Sequence, residues 1–416
     1  MTDASVRTTC CIAGGGPAGV MLGFLLARAG VSVVVLEKHK DFFRDFRGDT
    51  IHPSTLQVMH ELGLLDRFLK VPHDEVRQLR AVVGDTEVQI ADFRHLPTVC
   101  KFIALMPQWD FLDFLAEQGK RYPGFDLRME TDATDIIVEG APENERVVGV
   151  KAQTPDGPIE IRADLVVGAD GRHSTVRERA GLSVENIGAP MDVLWMRLSR
   201  HESDPEQTGG YMNYGRIFVT LNRRDYWQCA FVIRKGGYDE VHAGGLDGMR
   251  HEIIRLAPFL ADRVAELKDW DDVKLLTVAV DRLRQWWRPG LLCIGDAAHA
   301  MSPIGGVGVN VAVQDAIAAA NILAVPLREG RLTTDHLAQV QKRRTFPMKV
   351  IQGMQVAVQK NIIDKVLSSD RPITAPWTVR LFNWFPFLRR IPARVVGIGV
   401  RPEHVRTQPH TPAPVT

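Results

Sequence analysis

Apolar and polar positions change period twice within the first forty residues. Cys10 to Ala13 reads as a short apolar strand, and Gly14-Gly15-Gly16-Pro17-Ala18-Gly19 interrupts it. An apolar helix then runs to about Arg28, and the β-branched run Val31 to Leu36 predicts a second strand ending at Glu37. Strand, helix and strand form a βαβ unit. Further on, two alternating strands joined by a turn at Pro155-Asp156-Gly157-Pro158 lead into an apolar strand, Leu165 to Val167. That strand ends at Gly168-Ala169-Asp170-Gly171, and Arg172, Ser174 and Arg177 follow on a turn and helix.

Between 182 and 280 the pattern alternates again, in MDVLWMRLSR, GRIFVTLNR and DYWQCAFVIRKG, which predicts an antiparallel sheet. Period two places Trp227, Cys229, Phe231 and Ile233 on one face of the last strand. In the first strand Trp195 and Arg197 share a face opposite Leu194, Met196 and Leu198. Either face could pack on helices or line a chamber. The stretch Ile304 to Leu327 is long and apolar, but Asn310, Gln314, Asp315 and Asn321 interrupt it, so it predicts a buried soluble helix. After Thr334 the pattern is helical through about Leu367. The aromatic, Arg-flanked stretch LFNWFPFLRRIPARVVGIG is expected to pack against the domain of the first βαβ unit rather than to lie on a membrane. The end, RTQPHTPAPVT, is expected to be a disordered tail.

Composition narrows the partners. The 416 residues suit two or three units with substantial cores, and 51 basic against 50 acidic residues leave no footprint for nucleic acid or an anionic membrane. The expected partner is a small molecule. Cys10, Cys11, Cys100, Cys229 and Cys293 show neither CxxC nor metal-ligand spacing, which suits structural thiols in a reducing cytoplasm and no metal site. The opening MTDASVRTT lacks the design of a signal peptide.

The first glycine-rich loop carries the clearest chemistry. Gly14 permits a tight turn, Gly16 lets backbone N–H groups approach a pyrophosphate, and Gly19 lets helix pack on strand. Glu37 stands where a carboxylate can accept both ribose hydroxyls, which disfavours an NADP 2′-phosphate and leaves NAD and FAD open. Asp170, read alone, could simply cap the helix behind it.

In this order, GxGxxG with its distal acid, GADGRHSTVR and GDAAHAMSPIGGVGVN resemble the three fingerprints of the FAD-dependent group A aromatic monooxygenases, the para-hydroxybenzoate hydroxylase family. The resemblance spans Thr8 to Leu323. It implies an α/β fold in which a Rossmann-like FAD-binding domain carries an inserted antiparallel-sheet substrate domain and C-terminal helices. The implied FAD domain is discontinuous (1–71, 107–181 and 281–330), with substrate segments 72–106 and 182–280, a helical region 331–404 and a tail 405–416.

The resemblance also assigns roles. Asp296 would hold a ribityl hydroxyl of FAD, and Pro303, Gly305, Gly306 and Gly308 would pass the isoalloxazine ring. The next helix would aim the N–H groups of Val309 and Asn310 at the ring's pyrimidine edge, where a reduced flavin is anionic. Glycine there would let the planar ring lie against backbone. Gly14, Gly16, Pro17, Ala18, Gly19, Glu37, Lys38 and Asp170 complete the expected cofactor set, with Gln108 toward the ribityl and phosphate region. Arg47 would reach FAD or the nicotinamide cofactor and, with Pro303, Gly305 and Gly306, serve the reaction. Arg47 and Gln108 could alternatively be a surface ion pair and a cap. His299 is expected to be structural, satisfied by backbone. Trp195, Arg197, Tyr211 and Trp227 are the expected substrate contacts.

The implied activity is hydroxylation of an aromatic or quinone-like molecule, using NADH or NADPH and dioxygen through a flavin hydroperoxide. The nicotinamide cofactor would bind transiently, in keeping with a single GxGxxG. A flavin-dependent halogenase is the nearest rival, but its WxWxIP signature is absent, and QWWRPG at 285–290 is not it. A polyprenyl-type reductase and a non-catalytic FAD-binding protein are the other rivals.

Overall fold

The computed structural model describes residues 5–43, 50–206, 208–369, 371–375 and 377–410. Two large sheets organise them. The first runs, edge to edge, Trp287–Arg288, Leu291–Cys293, Gly157–Gly168, Ser5–Ala13, Val33–Leu36 and Phe125–Arg128. Its four inner pairings are parallel. Val33–Leu36 is buried along its whole length, as a parallel strand covered on both faces should be. The long strand Gly157–Gly168 has two uses. Residues 157–162 pair antiparallel with Arg146–Thr154 across the turn at Gly157, and residues 160–168 pair parallel with Ser5–Ala13 on the other side.

The helix Pro17–Arg28 crosses from the first strand to the second and packs against Gln108–Gly119 and Gly308–Arg328. Gly308–Arg328 is long and apolar enough to span a bilayer, and it is a core helix of this fold, with most of its residues buried. All five cysteines are free and buried. Burial pushes the Cys11 thiol up to about 12.

The second sheet runs Lys274–Leu276, Met191–Ser199, Tyr226–Arg234, Arg216–Asn222, Gly209–Asn213, Gln78–Val83 and Thr86–Asp92. Its last two strands come from much earlier in the chain and join it parallel to Gly209–Asn213. One face carries Leu194, Met196, Leu198, Trp227, Cys229, Phe231 and Ile233 under the helix Gly245–Leu256. On the opposite face, Met191, Val193, Ala230 and Val232 meet Ile363, Val366 and Leu367, with Trp195, Met212, Val219 and Ile304 packed beside them. Ile304 belongs to the third motif. The face that looks toward that motif is therefore the one bearing Trp195.

The C-terminal region meets one expectation in part and departs from another. Thr334–Val358 continues through a π-helical turn, Gln359–Ile363, into Asp364–Leu367. The aromatic stretch then covers the Gln78–Asp92 hairpin of the second sheet, and only near its end does Val396 pack on the first-sheet core. Asn383 donates to the Glu87 carbonyl at 2.9 Å, Arg389 donates to Gln89 at 2.5 Å, and Ala393 is buried among Phe93 and Leu96. Thr86–Asp92 is a sheet edge, and covering it satisfies backbone that would otherwise stay unpaired. Trp384, Phe385, Phe387 and Ile391 remain exposed.

The expected disordered tail is docked through residue 410. Arg28 donates to the Thr407 carbonyl at 2.5 Å, and the His410 N–H donates to the Arg28 carbonyl at 2.8 Å. The N–H of Val405 and that of Arg406 bond Glu61 and Asn321, each at 2.9 Å. Polar groups fixed on three helices thus hold the segment despite Pro409, which has no N–H to contribute.

Candidate active site

At the first loop each glycine has a separate physical reason. Gly14 sits at φ +108°, and a Cβ there would stand 2.3 Å from the Ala169 carbonyl oxygen. A Cβ on Gly19 would stand 1.9 Å from the Gly14 oxygen. Both positions are closed by backbone, which cannot withdraw as a flexible side chain can. Gly16 differs, because nothing lies within 4 Å of its would-be Cβ. Its open side adjoins the start of Pro17–Arg28, whose first N–H groups receive no side-chain cap. Glu37 accepts the Gly15 N–H at 3.2 Å and the His39 N–H at 3.0 Å, while Lys38 is exposed.

The second motif fastens the third. Asp170 accepts the Ser174 hydroxyl at 2.5 Å and the Val176 N–H at 3.1 Å, and so braces the start of the helix Thr175–Arg179, whose N-cap is Ser174. Burial raises its pKa against those bonds. Arg177 donates to the carbonyls of Ala297, at 3.2 Å, and Arg172, at 2.6 Å. Arg172 in turn pairs with Asp296 at 3.2 Å, with both side chains about one-third exposed.

The third motif is set by residues from three other elements. Gly305 and Gly306 have φ of +78° and +61°. A Cβ on Gly306 would strike Thr50 Oγ1 at 2.5 Å, and that hydroxyl donates to the Gly306 carbonyl at 2.7 Å. Gly306 thus serves the turn and its contact with Thr50. The glycine with open space beside it is Gly308, with nothing within 4 Å of a Cβ, at the start of the uncapped helix Gly308–Arg328. The Asn310 side chain points back. Its oxygen accepts the His52 N–H at 2.9 Å and the Thr55 hydroxyl at 2.7 Å, and its amide donates to the Thr50 carbonyl at 3.0 Å. Val309 and Asn310 still present backbone N–H groups in the first turn.

His52 was not foreseen. It is fully buried, its Nδ1 lies 2.7 Å from the Val396 carbonyl, and Nε2 has no partner among the described residues. Burial pushes the imidazole down to about 4, against the opposing pull of the Val396 and Gly306 carbonyls.

His299 is structural, as expected, but a carboxylate holds it rather than backbone. Its Nε2 lies 2.6 Å from Asp315, which also accepts the Gly295 N–H at 3.1 Å and Arg344 at 2.8 Å. Burial alone would raise the Asp315 carboxyl; the imidazole and guanidinium outweigh it and hold it below the ordinary value. A Cβ on Gly295 would stand 3.1 Å from Ala18 and 3.4 Å from Ala312. The starts of both glycine-led helices therefore meet beside Asp296.

Among the expected substrate contacts, Trp195 lies on the motif-facing side. Arg197 shares that side but stacks over Tyr226, 3.7 Å from its ring centre. Trp227 and Tyr211 belong to the opposite face. Trp227 donates to buried Asp204 at 2.8 Å, so those two are corrected from substrate contacts to core residues. Gln108 is half-buried in the first turn of Gln108–Gly119, and Arg47 lies outside the described residues.

Two uncapped helix starts, two glycines opening on free space, Glu37 at a parallel strand's end and Asp296 between them fit a flavin dinucleotide. This arrangement on a mostly parallel sheet defines a dinucleotide-binding flavoprotein. The family model described as FAD binding domain matches residues 7–354, and the chain belongs to that family. Its cofactor is FAD. The 6-methylpretetramide 4-monooxygenase of Streptomyces rimosus is 32% identical over 392 residues, 92% of each chain. Rifampicin monooxygenase of Streptomyces venezuelae is 28% identical over 361 residues, 84% of this chain and 70% of the relative. In fold, the chain resembles P. aeruginosa PqsL in complex with 2-aminobenzoylacetate, with TM-score 0.74, 23% identity and coverage of 86% and 97%.

Proposed function

We propose that this chain is a FAD-dependent monooxygenase that hydroxylates an aromatic small molecule, with NADH or NADPH as transient co-substrate. The substrate class we favour is a polycyclic phenol or quinone. The observation that carries the reading is the third motif, where an open, uncapped helix start and Asp296 stand on one side and the Trp195 face of the second sheet on the other. Likeness to a 6-methylpretetramide monooxygenase across nearly the whole chain supports the substrate class.

Gly16 and the N–H groups after it would receive the pyrophosphate, Glu37 the adenosine ribose and Asp296 the ribityl chain. Bound FAD supplies electron transfer from the nicotinamide cofactor and the activation of dioxygen. The first turn of Gly308–Arg328 would offer its free N–H groups and about half a positive charge to the ring, in place of a lysine. Trp195, Met212 and Val219 would exclude water from the space opposite and orient a planar apolar substrate. Arg172 pairs with Asp296 and orients its carboxylate, and Arg177 keeps the two motifs in register.

The test is oxygen uptake and NAD(P)H oxidation with product analysis. Both are expected to be slow alone and faster with a polycyclic phenol, giving a product heavier by one oxygen. A product halogenated only when halide is added, a reduced polyprenyl chain, or no oxygen uptake with any aromatic would each contradict the reading.

A further inference from the structure

The residues that set the Pro303 turn come from the C-terminal helix, outside every recognised motif. Gln352, Gln355 and Gln359 lie three and four positions apart on Thr334–Val358 and its π-helical continuation, and so share one helix face. None is more than 1% exposed. Gln355 accepts the Ser302 N–H at 3.1 Å and donates to the carbonyls of Ser302 and Ile304, each at 2.9 Å. One amide thereby satisfies the backbone on both sides of Pro303, which has no N–H of its own. Gln359 donates to the Ser302 hydroxyl at 2.9 Å, and Gln352 donates to the Ala300 carbonyl at 3.1 Å.

Only a primary amide does what Gln355 does. A carboxylate would face two carbonyls without a proton to offer, and a lysine would offer no acceptor to Ser302. The same helix ends against the substrate-facing side of the second sheet, where Ile363, Val366 and Leu367 pack beside Trp195 and Met212. Arg234 donates to the Leu367 carbonyl at 2.8 Å. The Pro303 turn and the sheet opposite are thus referenced to one rigid element, and a π-helical turn begins at the last of the three glutamines.

From this we infer that Gln355, supported by Gln359, is a positioning residue. It sets the height of the Pro303 turn against the substrate face and so controls how much of the NAD(P)H oxidised ends in product rather than peroxide. The inference rests on the monooxygenase reading.

The experiment uses full-length holoprotein carrying Gln355→Leu, with Gln341→Leu as control. Gln341 lies on the same helix and makes comparable bonds, to the Trp286 N–H and the Arg284 carbonyl, away from the turn. Two quantities are read: the visible absorption and circular dichroism of bound FAD, and the product-to-peroxide ratio. Gln355→Leu is expected to shift the flavin bands while keeping FAD bound, and to lower the product-to-peroxide ratio roughly tenfold to a hundredfold. Gln341→Leu should lower melting temperature alone. Gln359→Leu, which loses a single bond, should give a smaller shift of the same kind and stands in if Gln355→Leu fails to fold. Flavin bands and ratio unchanged in both Gln355→Leu and Gln359→Leu would overturn the inference. If wild type makes no hydroxylated product, the substrate reading fails separately, and a band shift confined to Gln355→Leu and Gln359→Leu still supports the positioning role.

Discussion

The two glycine-rich loops of this protein look alike in sequence and are built in opposite ways. Gly14 to Gly19 is shaped by backbone against backbone, with Gly14 and Gly19 closed by main-chain oxygens a few residues or one strand away. Pro303 to Gly308 is shaped by side chains that arrive from afar: Thr50 at Gly306, Asn310 folded back onto Thr50 and His52, and Gln355 astride Pro303. The first loop is therefore held rigidly by main chain. The second can be adjusted by any of several distant residues, which suits the part of a cofactor site where substrate and oxygen must be placed.

The contrast can be broken by substitution. The largest effect is expected at Gly19→Ala, because a Cβ 1.9 Å from the Gly14 oxygen admits no local relief. FAD binding should be abolished and the melting transition greatly lowered, as fluorescence titration and thermal denaturation would show. Gly16→Ala, where nothing lies within 4 Å, should leave the apoprotein's melting temperature unchanged and weaken only FAD. Equal damage from both would remove the distinction between a closed and an open glycine.

Next comes Asp315→Ala, which strips the carboxylate from His299 and Arg344 and unfastens Gly295. Arg344 keeps only its longer contact with Glu403, at 3.7 Å, and stripping a buried guanidinium of its close partner costs up to about 3–5 kcal/mol. Chemical denaturation should register that loss, and a cost below about 1 kcal/mol would place the network outside the stability of the third motif. Asp296→Ala lies in the same motif and should behave differently. On the proposed reading it removes a charged hydrogen bond to FAD, an interaction generally worth about 1.5–3 kcal/mol, so affinity should fall roughly ten- to a hundredfold. Full activity should return at saturating FAD. Inactivity of the fully loaded variant would give Asp296 a role beyond binding.

A further effect is read in pH. His52 has a folded-state pKa of about 4 against an ordinary 6.5, so the unfolded chain binds more protons between those values. Its contribution to stability is complete above about pH 6.5 and is lost as pH falls toward 4. Melting temperature should drop across that window and drop less steeply in His52→Gln. Parallel profiles for the two proteins would show that the buried imidazole is not the titrating group.

What could be read in the sequence follows the same division. The βαβ unit, its glycines and Glu37 were legible because their constraints act within one turn or between adjacent strands. Gly157–Gly168 was read as two pieces, an alternating hairpin strand and an apolar strand, because its pattern changes midway although its backbone runs on unbroken. Gln355 and Thr50 were not legible, because they act across 53 and 256 positions and nothing in their own neighbourhood marks them. The faces of the second sheet could not be told apart by alternation alone. Trp227 looked as suitable for a chamber as Trp195, and only the placement of Gly245–Leu256 and of Ile304 separates them. Pro409 and its neighbours suggested a free tail, but Arg28 and Glu61, both near the other end of the chain, tie it down.

The central claim is that the space between the Gly308 helix start and the Trp195 face is where oxygen is inserted into an aromatic carbon. Incubation of the holoprotein with NADH or NADPH, a polycyclic phenol and ¹⁸O₂ tests it most directly, with mass spectrometry of the product. The account predicts one ¹⁸O atom per product molecule, formed in proportion to the NAD(P)H consumed. A product whose new oxygen comes from water, or dioxygen consumed only to peroxide with every phenol offered, would contradict it.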